Sequence, residues 1–425
     1  MLRELMRARR FAPLFWTQAL GAMNDNMFKN ALVVLALFRL THLGPVVVAL
    51  SGGVFLLPYA VFSATAGQIA DANEKSRVIR WVKFWELGLM ALASWGFLSG
   101  NFGVLLAVLF GLGVQAAFFS PLKYGILPDH LAGEELVAGN GLVEAGTFTG
   151  ILLGTVLGGV LLLLPDGALA ASGACLGVAA LGILAAYRIP LAPSAQPQLR
   201  PGWNFAAETW ALVRLARENA PVWFAIYGIS WFWAVGATLL AAFPTLARQV
   251  LHADGHVVTL MLGVFAVGVG IGSLAVARFV EDASLVDYVA AAGVGVSVFT
   301  ADFALTALRA GELGTVAAVL GGFAGWHMLV DLLLLAVCGG AFSVPLYVLL
   351  QERSAASHRA RMVGANNVMN ALASVLAAGI TALLYARGVG APAVLLGVAA
   401  GNALVAWWIF RVVRSGVHQG SSAPL

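Results

Sequence analysis

Asp25 and Lys29 stand four residues apart in an otherwise apolar stretch, Gly21-Ala22-Met23-Asn24-Asp25-Asn26-Met27-Phe28-Lys29-Asn30. On a helix this spacing puts a carboxylate and an ammonium on one face, where an i,i+4 ion pair can form. Two kinds of chemistry are open to such a pair. It can neutralise itself and fasten its helix to a neighbour, or it can present both charges to a polar substrate in a cavity. Asn140 and Glu144 share a helical face in the same way, and so do Asn366 and Asn370 later in the chain. Lys123 and Tyr124 follow Pro121, whose missing N–H frees a backbone carbonyl and bends a helix. A lysine there either meets a substrate or snorkels to an interface. Glu86, one turn from Lys83, reads as satisfied locally, and Asp302 and Asp331, near segment ends, receive no role. His130 and Glu135 have the His-x4-acid spacing of a general base in acyl transfer. Their neighbours Asp129 and Glu134 make a solvated charge run the better reading. Cys175 and Cys338 lie in apolar runs and lack the spacing of a zinc site or disulfide framework, so neither metal nor cofactor is expected.

The elements that must hold these residues follow from composition. Only 10% of the 425 residues are charged and 60% are hydrophobic, against about 25% charged in soluble domains. Mean hydropathy is +0.90. The runs 40–70, 87–122, 145–165, 167–187, 219–247, 255–277, 362–386 and 388–410 contain no Asp, Glu, Lys or Arg, and each can span a bilayer as a helix. Inside such a span a charge costs at least about 2.5–3.5 kcal/mol, which makes Asp25 the first residue to examine. The net charge of +4 is small and dispersed, which argues against nucleic acid as a partner. Arg3, Arg7, Arg9 and Arg10 resemble the start of a signal peptide, but no small-residue cleavage site follows, so the first apolar run reads as a retained span.

Polar breaks cut the chain into twelve helices at about 11–38, 45–70, 78–98, 103–126, 138–164, 168–188, 220–247, 256–278, 286–308, 327–350, 361–386 and 391–411. With the N-terminus inside, 19 of the 24 Lys/Arg fall on the cytoplasmic side, Lys83 and Lys123 among them. Arg39, Arg248, Arg309 and Arg387 fall outside, and Lys29 lies within a span. That asymmetry predicts both termini in the cytoplasm. The Gly/Ala-rich stretch 309–326 reads as a long outer loop or a re-entrant turn, since an extra crossing would carry Arg353, Arg359 and Arg361 outside. The polar connection 189–219 divides the spans six and six. In it Trp203, Ala207, Trp210 and Val213 recur at helical spacing, as in an amphipathic helix lying in the interface or packed on the protein's own inner face.

A repeat relates the halves. Phe119-Ser120-Pro121-Leu122-Lys123-Tyr124, then Asn140 and Glu144, is matched by Phe342-Ser343-Val344-Pro345-Leu346-Tyr347, then Asn366 and Asn370. Six spans plus six with a parallel repeat is the arrangement of major facilitator transporters. The expected fold is thus an all-α integral membrane protein, with six-helix bundles at 1–189 and 220–425 and a cytoplasmic linker at 190–219.

Gly67-Gln68-Ile69-Ala70-Asp71-Ala72-Asn73-Glu74-Lys75-Ser76-Arg77 resembles the major facilitator loop signature, in which Gly permits close helix contact and Asp caps a partner helix. Gly67, Asp71 and Lys75 match it, while Ala72 and Glu74 replace its usual Arg and Gly. Asn24-Asp25-Asn26, the stretch from Phe119 to Leu127, Asn140-Gly-Leu-Val-Glu144 and the stretch from Val344 to Arg353 together resemble the bacterial lysophospholipid transporters, over nearly the whole chain. The resemblance implies an inner-membrane flippase, not an enzyme, that returns lysophospholipids, notably lysophosphatidylethanolamine, to the cytoplasmic leaflet. Reacylation there would fall to a separate acyltransferase/acyl-carrier-protein synthetase.

Such a zwitterionic headgroup needs an anion near its ammonium and a cation near its phosphate. Asp25 or Glu144 would meet the first and Lys29 or Lys123 the second. Asn26, Tyr124, Asn140, Asn366 and Asn370 complete the expected lining, and Gly67, Asp71, Lys75, Arg77, Pro121 and Pro345 the gate. The seventh span has no basic residue where some relatives carry Arg, which leaves the phosphate to the two lysines. The runner-up is a proton-coupled exporter of drugs or small metabolites, because Gly150-Ile-Leu-Leu-Gly154-Thr155-Val-Leu-Gly158-Gly159 resembles the antiporter signature with Thr155 in place of proline. Topology is tested by cysteine labelling: positions 76, 195 and 356 are expected to react from the cytoplasm only and position 388 from outside only. Labelling of 356 from outside would establish an extra crossing.

Overall fold

The computed structural model describes residues 1–39, 44–279 and 285–414, and among these it is helical with no strand. Twelve helices of twenty residues or more form the frame. In chain order they are α1 (Ala12–Arg39), α2 (Gly44–Ala72), α3 (Lys75–Ser99), α4 (Phe102–Gly125), α5 (Gly133–Leu162), α6 (Gly167–Ala186), α7 (Ala220–Gln249), α8 (Gly255–Phe279), α9 (Leu285–Arg309), α10 (Phe323–Arg353), α11 (Arg359–Ala386) and α12 (Ala391–Arg414). Ten are long and apolar enough to cross a membrane. The other two, α1 and α3, carry the polar runs around Asp25 and between Lys75 and Glu86.

Polar residues at the breaks stop and start the helices by satisfying end groups that hydrocarbon would leave bare. Glu74 begins α3 by accepting from Ser76 N and Arg77 N, and Asn101 begins α4 by accepting from Val104 N. Gly100 closes α3 in the left-handed conformation, φ 66°, which favours glycine. Pro121 and Pro345 lie inside α4 and α10, and helix continues on both sides of each.

Contacts group the chain into two compact units, the first formed by 1–139, 146–222 and 350–371, and the second by 140–145, 223–349 and 372–425. In the first unit, Gly150, Gly154 and Gly158 of α5 meet the α1 backbone. A Cβ at Gly150 would lie 2.7 Å from Ala19 O, and at Gly154 and Gly158 it would strike the carbonyls of Met23 and Met27. Close contact of this kind needs small residues, so backbone packing accounts for the glycine series that resembles an antiporter signature. A second close crossing joins α2 to the start of α11. A Cβ at Gly67 would lie 2.8 Å from Arg361 Cα, and one at Gly364 would lie 2.6 Å from Ser63 O. In the second unit Gly141 of α5 lies against the Ser273 carbonyl of α8, the counterpart of the contact between Gly364 and Ser63.

Some expectations need correction and others become more definite. Lys83 is not a loop charge: it is buried on α3, facing Glu86. The stretch 309–326 contains the short helix Val316–Gly321, six residues, far too short to cross. It is tied to the α7–α8 connection by Leu313 N donating to Leu251 O and Asp254 N to Gly314 O, each 2.9 Å. Ser76 is buried, so exposed Asn73 is the better labelling position in that loop. The linker helix runs Phe205–Arg217, so Trp203 lies before its start, and its buried face packs on the protein. Leu212 and Ala216 are buried, while Trp203 and Trp210 are 68% and 72% exposed.

Replacing Gly154 by Leu forces a side chain into the α1 backbone, and overpacking of this sort costs about 1–3 kcal/mol or more. Gly154→Leu is expected to lower the thermal unfolding temperature or the yield of folded protein. Gly173→Leu, at an exposed position with nothing within 4 Å, should be tolerated.

Candidate functional site

Within the first unit the buried charges converge on Glu86 of α3. Lys83 Nζ donates to its Oε2 at 2.6 Å, Gln115 Nε2 of α4 to the same oxygen at 3.3 Å, and Asn24 Nδ2 of α1 to Oε1 at 2.9 Å. Both charged side chains are 1% exposed. Burial on that scale is tolerable only when charge and hydrogen bonds are satisfied together, and here three helices contribute. Gly21 and Gly182 leave room for the lysine: a Cβ at Gly21 would lie 2.6 Å from Lys83 Nζ. The ammonium also lies 5.1 Å from the Phe119 ring centre.

With Asn24 Nδ2 committed to Glu86, its Oδ1 is buried without a hydrogen-bond partner, and so is Oδ1 of the adjacent Asp25. Both orphan atoms are acceptors on consecutive residues of α1. The expected ion pair from Asp25 to Lys29 does not form: Lys29 lies over the Phe55 ring of α2 instead, 5.8 Å from its centre. An aromatic face attracts an ammonium as well. Asn26 Nδ2 bonds back to Ala22 O at 2.8 Å, a local helix contact. Asn30 Nδ2 donates to Thr155 O at 2.6 Å and ties α1 to α5 beside the glycine seat. Lys123 lies 4.6 Å from the Tyr124 ring centre. Ser120 donates to Asn367 Oδ1 at 3.0 Å, whereas neighbouring Asn366 has both side-chain polar atoms buried without hydrogen bonds. Asn370 belongs to this unit too, but Asn140, Glu144 and Pro345 belong to the second, where Asn140 and Glu144 are buried.

Of the expected gate residues, Gly67, Asp71, Lys75, Arg77 and Pro121 lie in the first unit. Asp71, fully buried, sits on the N-terminus of α11, accepting from Ala360 N at 3.1 Å and from Arg361 N and Nε at 3.2 Å each. Arg361 supplies the guanidinium that position 72 lacks. Lys75 pairs with Asp129 at 2.8 Å. Glu74, which stands where glycine is usual, accepts from Ala192 N at 2.9 Å and so pins the linker. Partial burial raises its pKa, but the donors of Ala192, Ser76 and Arg77 outweigh that and hold it below the ordinary range. Arg77 is exposed and donates its backbone N–H to Glu74. His130 and Glu135 are not arranged as a catalytic pair. Glu135 is held by both terminal nitrogens of Arg10, and His130 Nε2 lies 3.3 Å from Leu191 O.

The family model of the Major Facilitator Superfamily matches residues 14–311. The chain is 34% identical over 323 residues to the lysophospholipid transporter LplT of Serratia proteamaculans (strain 568), covering 74% of this chain and 72% of that protein. To LplT of Enterobacter sp. (strain 638) it is 32% identical over 370 residues, covering 84% of this chain and 85% of that protein. The chain belongs to the lysophospholipid transporter family of the major facilitator superfamily. Solved structures agree on the fold. The human organic anion transporter MFSD10 (TETRAN) superposes with a TM-score of 0.73 at 16% identity, covering 94% of this chain and 98% of that one. The fucose:proton symporter FucP of E. coli superposes with a TM-score of 0.68 at 14% identity, covering 94% and 97%.

In this family member the spacing of Lys83 and Glu86 in the sequence shows a local pair but not the reach of Glu86. Lys83 and Glu86 were visible three residues apart, but their link to Asn24 and Gln115 depends on which helices pack together. Glu86→Gln leaves Lys83 as an uncompensated buried charge, worth about 3–5 kcal/mol. The variant is expected to unfold at a markedly lower temperature, and Lys83→Met added to Glu86→Gln should recover most of the loss. Equal stability of the single and double variants would contradict the pairing.

Proposed function

We propose that the chain carries lysophospholipids, lysophosphatidylethanolamine foremost, from the outer to the cytoplasmic leaflet of the bacterial inner membrane by alternating access, for reacylation by a separate acyltransferase. In this reading both termini are cytoplasmic, the two six-helix bundles flank the 190–219 linker, and the chain acts as a transporter, not as an enzyme. The observation that carries it is the pair of orphan acceptors on α1, Asn24 Oδ1 and Asp25 Oδ1, in a relative of proteins named lysophospholipid transporters. What these oxygens lack is a donor, and an ethanolamine ammonium brings three N–H donors and a positive charge. Glu86 cannot serve in that role because its carboxylate is already occupied. Lys29 and Lys123 are the cations assigned to the phosphate. Each lies near an aromatic ring, Lys29 over Phe55 and Lys123 over Tyr124.

The second unit holds a small pocket of a different character, lined by Trp231, Phe232, Leu239, Phe265, Leu335 and Phe342, among others. Such a wall suits hydrocarbon and offers no charge. Asn402 at its margin is occupied by Trp231, Gly293 and Ser297. The exporter alternative loses its main support, since the glycine series on α5 serves contact with α1.

Reconstitution into liposomes with labelled lysolipids of differing headgroup, scored for leaflet exchange, tests the reading. Asp25→Asn keeps shape and hydrogen-bonding capacity but removes the charge. It is expected to reduce lysophosphatidylethanolamine transport at least about tenfold, since one charge-assisted contact is worth about 1.5–3 kcal/mol, while insertion and folding persist. Undiminished exchange by this variant would remove Asp25 from the binding site. Absence of exchange by the unaltered protein with every lysolipid would sink the function itself.

A further inference from the structure

The lysolipid reading leaves one group of ionisable side chains in the second unit unused. Asp302 of α9 and His327 and Asp331 of α10 bring one ring nitrogen and two carboxylate oxygens within 4.8 Å of one another. His327 Nε2 lies 3.1 Å from Asp302 Oδ2 and 3.5 Å from Asp331 Oδ2. Ligands at about 2.0–2.1 Å from a tetrahedral zinc ion stand about 3.3 Å from each other. The two separations from the imidazole therefore match neighbouring ligands of one ion.

Hydrogen bonding alone does not complete this group. Nε2 carries at most one proton, and the closer carboxylate oxygen is that of Asp302. Asp331 Oδ2 is buried and accepts no hydrogen bond, although the Thr306 hydroxyl serves the same carboxylate. The Asp331 side chain is 4% exposed and its carboxylate also hydrogen-bonds that of Asp302, which takes a proton between the two acids, a place that a divalent cation can fill instead. Access is one-sided. His327 and Asp302 are 37% and 44% exposed, which leaves an approach for an ion and a position for water as a further ligand. Phe323 lies against the imidazole, ring centres 5.8 Å apart, and restrains its orientation. His327 and Asp331 are one helical turn apart on α10, and the third ligand comes from a different helix.

We propose that Asp302, His327 and Asp331 bind a single divalent transition-metal ion of the zinc class and thereby clamp α9 to α10. One imidazole with two carboxylates is the donor set of such an ion, whereas magnesium and calcium favour oxygen alone. On the charge reading of topology the 309–326 connection is external, so the ion would reach the site from outside the cell. This proposal does not depend on the nature of the transported lipid.

The test uses the purified full-length chain in detergent, free of any affinity tag and stripped with a chelator. Cobalt(II) is titrated while its visible absorption is followed, and zinc is added in competition. The expected result is one cobalt per chain, displaced by zinc, with His327→Ala abolishing the band. Asp302→Asn, at a well-exposed position that should leave folding intact, is expected to weaken binding at least about tenfold, the scale on which metal sites respond to lost support. His252→Ala, at another exposed histidine, should leave binding unchanged. No cobalt band, or an affinity that Asp302→Asn leaves unaltered, would overturn the proposal. So would loss of the band in His252→Ala alone. The Asp302→Asn comparison decides the matter even where His327→Ala does not fold.

Discussion

A charge within hydrocarbon has to be satisfied where it sits, because no water is available to screen it. In the first unit this requirement is met at Glu86, and much of the surrounding arrangement follows. The carboxylate takes the Lys83 ammonium from its own helix and amide donors from α1 and α4. Gly21 makes room for the lysine, since a Cβ there would lie 2.6 Å from its Nζ. Because Asn24 spends its donor on Glu86, its carbonyl oxygen is left beside the Asp25 carboxylate without a donor. The structural ion pair and the candidate binding group are thus two sides of one hydrogen-bond count. One is complete within the protein, and the other is the group that the proposed reading assigns to the substrate ammonium.

Helix α1 can hold this position because its other face is seated on glycine. The series from Gly150 to Gly158 lets its backbone approach α5 at several successive turns, and Asn30 adds a bond to Thr155 O. In a bilayer, contact between helices gains little from hydrophobicity, so close packing and interhelical hydrogen bonds must supply it. The same solution recurs at the other end of the unit. Gly67 and Gly364 bring α2 and α11 together, and Asp71 satisfies the first N–H groups of α11 where the contact ends. The loop around Glu74 then stitches the linker to this junction through Ala192 and Gln196.

The limits of each helix could be read from the chain because polar residues mark the breaks between long apolar runs. A backbone without water must be helical throughout a span, so composition alone predicts the element. The repeat was legible for a similar reason: Phe, Ser, Pro, Tyr and Asn recur in order, and order survives in a linear text. The pairing of ionisable groups was less legible. Asp25 and Lys29 have the right spacing for a bond, but the lysine lies over Phe55 of another helix. Asp302 and Asp331 looked like span-end charges, and His327 completes a group with them only when α9 lies beside α10.

By itself, then, the sequence determined an all-helical membrane frame of two related halves, the membership of its motifs in a transporter family, and the few polar residues worth examining. These depend on composition, periodicity and order, which are local or one-dimensional. Only the tertiary structure decided which oxygen is satisfied and which is bare, which glycine faces a backbone and which faces open space, and which carboxylate has a histidine across from it. Those outcomes depend on which helix faces are neighbours, and interactions across a few ångströms between residues far apart in the chain have no counterpart in linear spacing.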